Sequence, residues 1–108
     1  MLEKHYKCGL YLGRFQPLHD GHVSVITRML ADCELIIIAI GSAQESGTVK
    51  NPLTYDFRKQ LIEETFPYHI DRITIVPVVD RETYSDDPSW GDYLLQQIYN
   101  QCDIRPTV

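Results

Sequence analysis

Three short apolar runs stand out along the chain. Cys8–Gly13 (CGLYLG) closes on a glycine, Glu34–Gly41 (ELIIIAIG) closes on another, and Ile73–Val79 (ITIVPVV) is built the same way. None alternates strictly between apolar and polar residues. A strand covered on one face alternates, whereas a strand covered on both faces does not. The runs therefore read as strands of a parallel sheet packed between helices. Pro77 has no amide hydrogen to give to a ladder, so the third strand should end near it.

Helical spacing fills the gaps. After His19, residues His22, Ile26, Met29, Leu30 and Cys33 fall along one helical face, with Asp20 as the expected N-cap. Behind Asn51-Pro52-Leu53-Thr54, with Thr54 as cap, Phe57, Leu61, Ile62 and Thr65 share a face. That assignment leaves Arg58 as a surface or salt-bridging residue. A third helix opens at Asp87-Pro88-Ser89, where Ser89-Trp90-Gly91-Asp92 has the spacing of a capping box; Leu94, Leu95, Ile98 and Cys102 form its inner stripe. Ile104–Val108 reads as the start of a fourth strand. The order βαβαβα predicts an α/β fold, a Rossmann-like doubly wound parallel sheet with right-handed crossovers, cut off at strand four. In such folds ligands bind beyond the carboxyl ends of the strands. The segments to watch are Gly13–His22, Gly41–Pro52 and Val79–Trp90.

Composition narrows the function. With 108 residues the chain suits one domain, taken as residues 1–108. Ten Lys+Arg against fifteen Asp+Glu give a net charge of −5. General affinity for DNA or RNA needs the opposite balance. The longest apolar run, Leu35–Ile40, is far below the roughly 20 residues of a membrane span. The N-terminus lacks the apolar core of a signal peptide. Cys8, Cys33 and Cys102 form no CxxC pair and read as reduced thiols, which points to the cytoplasm.

The segment after the first run carries most of the chemistry. Gly13 lets the chain turn sharply out of the strand, and amides at the following helix start are donors suited to phosphate oxygens. Gly21 leaves room for a ligand. His19 and His22 sit three apart across the helix start, so both imidazoles can face one pocket. Such a pair can also be incidental. A zinc site would need a third and a fourth ligand; His5 and His69 lie in no evident constellation, so no metal site is assigned.

The stretch Gly13–His22 (GRFQPLHDGH) resembles the H-x-G-H phosphate signature of the nucleotidylyltransferase superfamily. GRFQP within it resembles archaeal-type nicotinamide-mononucleotide adenylyltransferases and their bacterial relatives, some fused to a Nudix domain. Ile40-Gly41-Ser42-Ala43-Gln44 with Lys50-Asn51-Pro52-Leu53-Thr54, and Ile75–Asp80 with Trp90 downstream, are similar to two further segments of that group. The resemblance implies transfer of AMP from ATP to a nucleotide monophosphate, with release of pyrophosphate. It implies His19 and His22 as catalytic residues on the ATP phosphates, His22 nearest the α-phosphate. Gly13, Arg14, Phe15, Gln16 and Gly21 would line the nucleotide, residues 14–16 through their backbone. Ser42, Asp80 and Trp90 would meet the acceptor: Ser42 its phosphate, Asp80 its carboxamide, and Trp90 its cationic pyridinium ring by stacking. Mg²⁺ would accompany ATP, held by phosphates and water. The implied partners are small-molecule nucleotides, with a homo-oligomer left open.

Two features depart from the pattern. Many relatives carry Lys where H-x-G-H here has Asp20, a carboxylate that opposes phosphate unless it faces away. The segment Arg81–Asp87 is poorer in Asn than the group's. The family's second signature, I-S-x-T-x-(I)-R, is absent from the sequence, which reads as the N-terminal portion of a longer enzyme. A nucleotide-binding module without chemistry, and transfer to nicotinate mononucleotide or phosphopantetheine, are the alternatives to a nicotinamide-mononucleotide acceptor.

Overall fold

The computed structural model describes residues 6–49, 51–79 and 90–101. β1 (Tyr6–Gly13), β2 (Cys33–Ile40) and β3 (Ile73–Pro77) form a parallel sheet in the order β1-β2-β3. Helix α1 (Asp20–Asp32) joins the first two strands. Helix α2 (Tyr55–Thr65) and a 3₁₀ turn (Pro67–Arg72) join the second to the third. Helix α3 (Trp90–Tyr99) follows. The strand ends differ from the apolar runs by one or two residues, and β3 stops at Pro77. The expected fourth strand and the expected Ser89 cap lie outside the described residues, as does Cys102.

Each strand faces two cores. Ile36, Ile38 and Ile40 of β2 pack with Ile26 and Leu30 of α1, Ile62 of α2, and Phe15. Their neighbours Ile37 and Ala39 pack on the other face with Cys8, Val76, Leu94 and Ile98. This double burial is why β2 reads as an unbroken apolar run. Helices α1 and α2 cover one face and α3 the other, which is the double winding expected of the element order.

The inner face of α2 differs from the expected one. Arg58 and Ile62 are buried, whereas Phe57 is 47% exposed and Thr65 is also exposed. Helical spacing puts Phe57 on one face with Leu61, Ile62 and Thr65, but the helix is rotated so that a cation turns in. Arg72 closes the opposite end of the sheet. Its guanidinium donates to the carbonyls of Leu30 at 2.7 Å, Cys33 at 2.7 Å and Glu34 at 3.1 Å. It thereby supplies donors for carbonyls left over where α1 ends.

Candidate functional site

The site is built from two turns at the carboxyl ends of β1 and β2. Leaving β1, the chain folds back so tightly that a Cβ on Gly13 would stand 2.9 Å from Cζ of Phe15. Glycine is required there. Phe15 holds a left-handed φ of 54° and is 1% exposed. Its ring meets Tyr11 edge-on at a centroid distance of 5.6 Å and His22 at 4.6 Å. The Phe15 side chain is therefore core, and only its backbone can line a ligand.

The cap of α1 is His19, not Asp20. His19 is the last extended residue (φ −133°, ψ 177°). Its Nδ1 accepts from the amides of Gly21 at 3.1 Å and His22 at 3.4 Å. Reciprocally, Nδ1 of His22 accepts from the His19 amide at 3.2 Å. Two imidazoles thus make the reciprocal bonds that Ser and Glu make in an ordinary capping box. Asp20 is already helical and exposed, and its charge lies in the first turn, where the helix dipole favours an anion. Gly21 serves the cap directly, because a Cβ there would lie 2.9 Å from Cε1 of His19.

This geometry fixes what the pair can offer. The two rings stack with centroids 3.7 Å apart and planes 20° apart. Both Nδ1 atoms accept, so each neutral ring carries its proton on Nε2. Neither Nε2–H has a partner among the described residues. The amides of Gly21 and His22, expected from the sequence as free donors for phosphate, are instead taken by His19. The two Nε2–H groups remain as donors on the pair itself. Burial, and secondarily the nearby His19, hold the His22 pKa below the ordinary histidine value. Both effects favour the neutral ring.

The second turn is tied to the first. The Gly41 amide donates to the Gly13 carbonyl at 2.8 Å. Ser42 follows with a left-handed φ of 51° and is 3% exposed, so it lies within the turn and not on its surface. Gln16, expected along the nucleotide, pairs its side-chain amide with the Leu53 backbone, accepting at 2.8 Å and donating at 3.3 Å. Asn51 is buried; its side chain donates to the Glu45 carboxylate and its amide to Thr48 Oγ1 at 2.8 Å. Arg14 is exposed. Lys50, Asp80 and the Trp90 side chain lie outside the described residues.

Arg58 overturns its expected surface role. It is fully buried. Its Nη1 donates to the carbonyls of Arg14 at 3.0 Å and Gly41 at 2.8 Å, its Nη2 to those of Ser42 at 3.1 Å and Glu45 at 3.4 Å, and its Nε to Thr54 at 3.1 Å. One signal was available in the sequence. Arg58 stands four residues from both Thr54 and Ile62, on the inner face, behind a turn-rich loop whose carbonyls need donors. Among the described residues, no three His, Cys, Asp or Glu side chains group to hold a metal ion.

A parallel α/β sheet with a glycine turn and a histidine-capped helix at its first strand defines a class of ligand-binding fold. The chain belongs to the cytidylyltransferase-like family, whose model matches residues 10–101. It is 44% identical over 75 residues to a nicotinamide-nucleotide adenylyltransferase of Saccharolobus solfataricus, a match covering 67% of this chain and 44% of that protein. For the protein of the same description in Thermoplasma acidophilum the identity is 43% over 75 residues, covering 68% and 42%. The chain thus spans less than half the length of these curated relatives. Among solved structures, a bifunctional NMN adenylyltransferase/ADP ribose pyrophosphatase of Francisella tularensis, complexed with AMP and a manganese ion, superposes with a TM-score of 0.76. The two are 32% identical, with 91% of this chain and 29% of that one covered. At 22% identity, the NadR protein in complex with NAD and AMP-PNP shares the fold with a TM-score of 0.59.

Proposed function

We propose that the protein in which these residues sit is an adenylyltransferase that moves AMP from ATP to nicotinamide mononucleotide, giving NAD and pyrophosphate. The observation that carries the reading is the stacked His19–His22 pair, with both Nε2–H groups free among the described residues at the start of α1. The relatives named above support the choice of reaction.

In this reading an oxygen of the acceptor phosphate attacks the α-phosphorus of ATP in line. The new P–O bond forms as the bond to the bridging oxygen breaks, and pyrophosphate leaves with the electron pair. No covalent bond to the protein is needed. The chain positions two anions and places donors where charge develops. His22 serves the α-phosphate and His19 the outer phosphates, each through Nε2–H. The turn at Gly13 to Gln16 lines the nucleotide through its backbone, and exposed Arg14 adds positive charge. Gly21 admits the phosphate chain. Asp80 belongs to the acceptor side, with Trp90 stacking on the pyridinium ring. The described residues offer no metal cage. A divalent ion, Mg²⁺ in the cell, would arrive on the triphosphate, held by phosphate oxygens and water, and would offset phosphate charge. The setting is the cytoplasm, where both nucleotides occur. Residues 1–108 belong to one nucleotidylyltransferase-like domain.

The test is pyrophosphate release by the full-length protein with ATP, Mg²⁺ and, separately, nicotinamide mononucleotide, nicotinate mononucleotide and phosphopantetheine. Nicotinamide mononucleotide should give the highest kcat/KM, and His22→Ala should lower kcat on the order of 10²–10³-fold. ATP binding without turnover on any acceptor would reassign the protein as a nucleotide-binding module. Loss of less than a few-fold in His22→Ala would remove that residue from the chemistry.

A further inference from the structure

We propose that Arg58 is a positioning residue of the nucleotide site, holding the turns after β1 and β2 in the left-handed conformations that the site requires. The proposal rests on the functional reading above. Two described non-glycine residues have positive φ, Phe15 at 54° and Ser42 at 51°. Each is entered by a peptide whose carbonyl Arg58 grips: Arg14 O at 3.0 Å before Phe15, and Gly41 O at 2.8 Å before Ser42. A single nitrogen, Nη1, bridges both. Nη2 then takes the carbonyl leaving Ser42 at 3.1 Å. A non-glycine residue persists in this backbone region only where its surroundings over-determine it, and here a rigid planar fork with several donors does so.

The consequence reaches the chemistry through one ring. Phe15 packs against His22 at 4.6 Å, so a peptide flip at Arg14–Phe15 would move the surface on which the His22 imidazole rests. Arg58 itself is fully buried and so cannot meet substrate. Lys in its place keeps the charge and loses the fork, so it cannot bridge two peptides in fixed geometry.

The experiment compares the full-length protein with Arg58→Lys, Ser42→Gly and the double variant. It measures urea midpoints by circular dichroism, and kcat per folded molecule. Arg58→Lys should lower kcat on the order of 10²-fold, while a role confined to stability would lower only the midpoint. Glycine tolerates positive φ, so the midpoint loss caused by Arg58→Lys should be roughly halved in the Ser42→Gly background. If Arg58→Lys does not fold alone, recovery of folding in the double variant supports the proposal, and failure in both backgrounds overturns it. Equal midpoint losses in the two backgrounds, or an unchanged kcat in folded Arg58→Lys, also overturn it. Absence of turnover in the parent would sink the adenylyltransferase reading instead, leaving the midpoint coupling to decide the case of Arg58.

Discussion

His19 and His22 divide the work of their ring nitrogens. Nδ1 of each ring caps α1, and the proposed phosphate contacts draw on Nε2–H. A proton added at Nδ1 would remove an acceptor from the cap, so the cap and the charge state are linked. The folded-state pKa of His22 is depressed, by burial first and by His19 second. The unfolded chain then binds the proton more readily than the folded one, so stability rises with pH across the window below the unfolded value of about 6.5. Thermal midpoints should therefore fall on acidification from about pH 7.5 to about pH 5.5, less steeply in His22→Asn. Equal slopes in the two proteins would disprove the linkage. The pair itself was legible from its spacing. The capping role was not, because Asp20 has the better intrinsic cap chemistry and only the backbone angles show that residue 19 is the last extended one.

Among the elements, α2 separates what periodicity reveals from what it hides. Its start was readable, since Thr54 accepts from the Phe57 amide at 3.1 Å as a cap should. Thr54→Ala should cost about 1 kcal/mol of unfolding free energy, measurable by urea denaturation, while leaving the fold intact. Its inner face is not what helical spacing predicts. Phe57 is the more apolar residue, yet Arg58 is the buried one, because five carbonyls supplied by two turns and the helix start wait on that side. A buried cation is costly unless every donor finds an acceptor. That condition is set by loops distant in sequence and is invisible to a helical wheel. β2 is the opposite case, since its long apolar run states its own burial.

On the scale of the whole molecule, the two cores on either side of β2 leave the carboxyl ends of the strands to the turns. A ligand seated there binds only the folded chain. At roughly 100 times its Kd, ATP with Mg²⁺ should therefore stabilise the full-length protein by about 2.7 kcal/mol, read as a rise in thermal midpoint. His19→Ala with His22→Ala should remove most of that rise, and an undiminished rise would place the nucleotide elsewhere. Element order, the double burial of β2, the parallel sheet and the histidine pair all follow from local pattern, because burial on two faces abolishes alternation and motif spacing survives in one dimension. The His19 cap, the turned-in face of α2 and the grip of Arg58 do not. The last two depend on carbonyls of residues as far apart as Arg14 and Thr54 converging on the Arg58 guanidinium, and hydrogen-bond satisfaction across such distances exists only once the chain is packed; the cap is local, but it turns on backbone angles that spacing does not state.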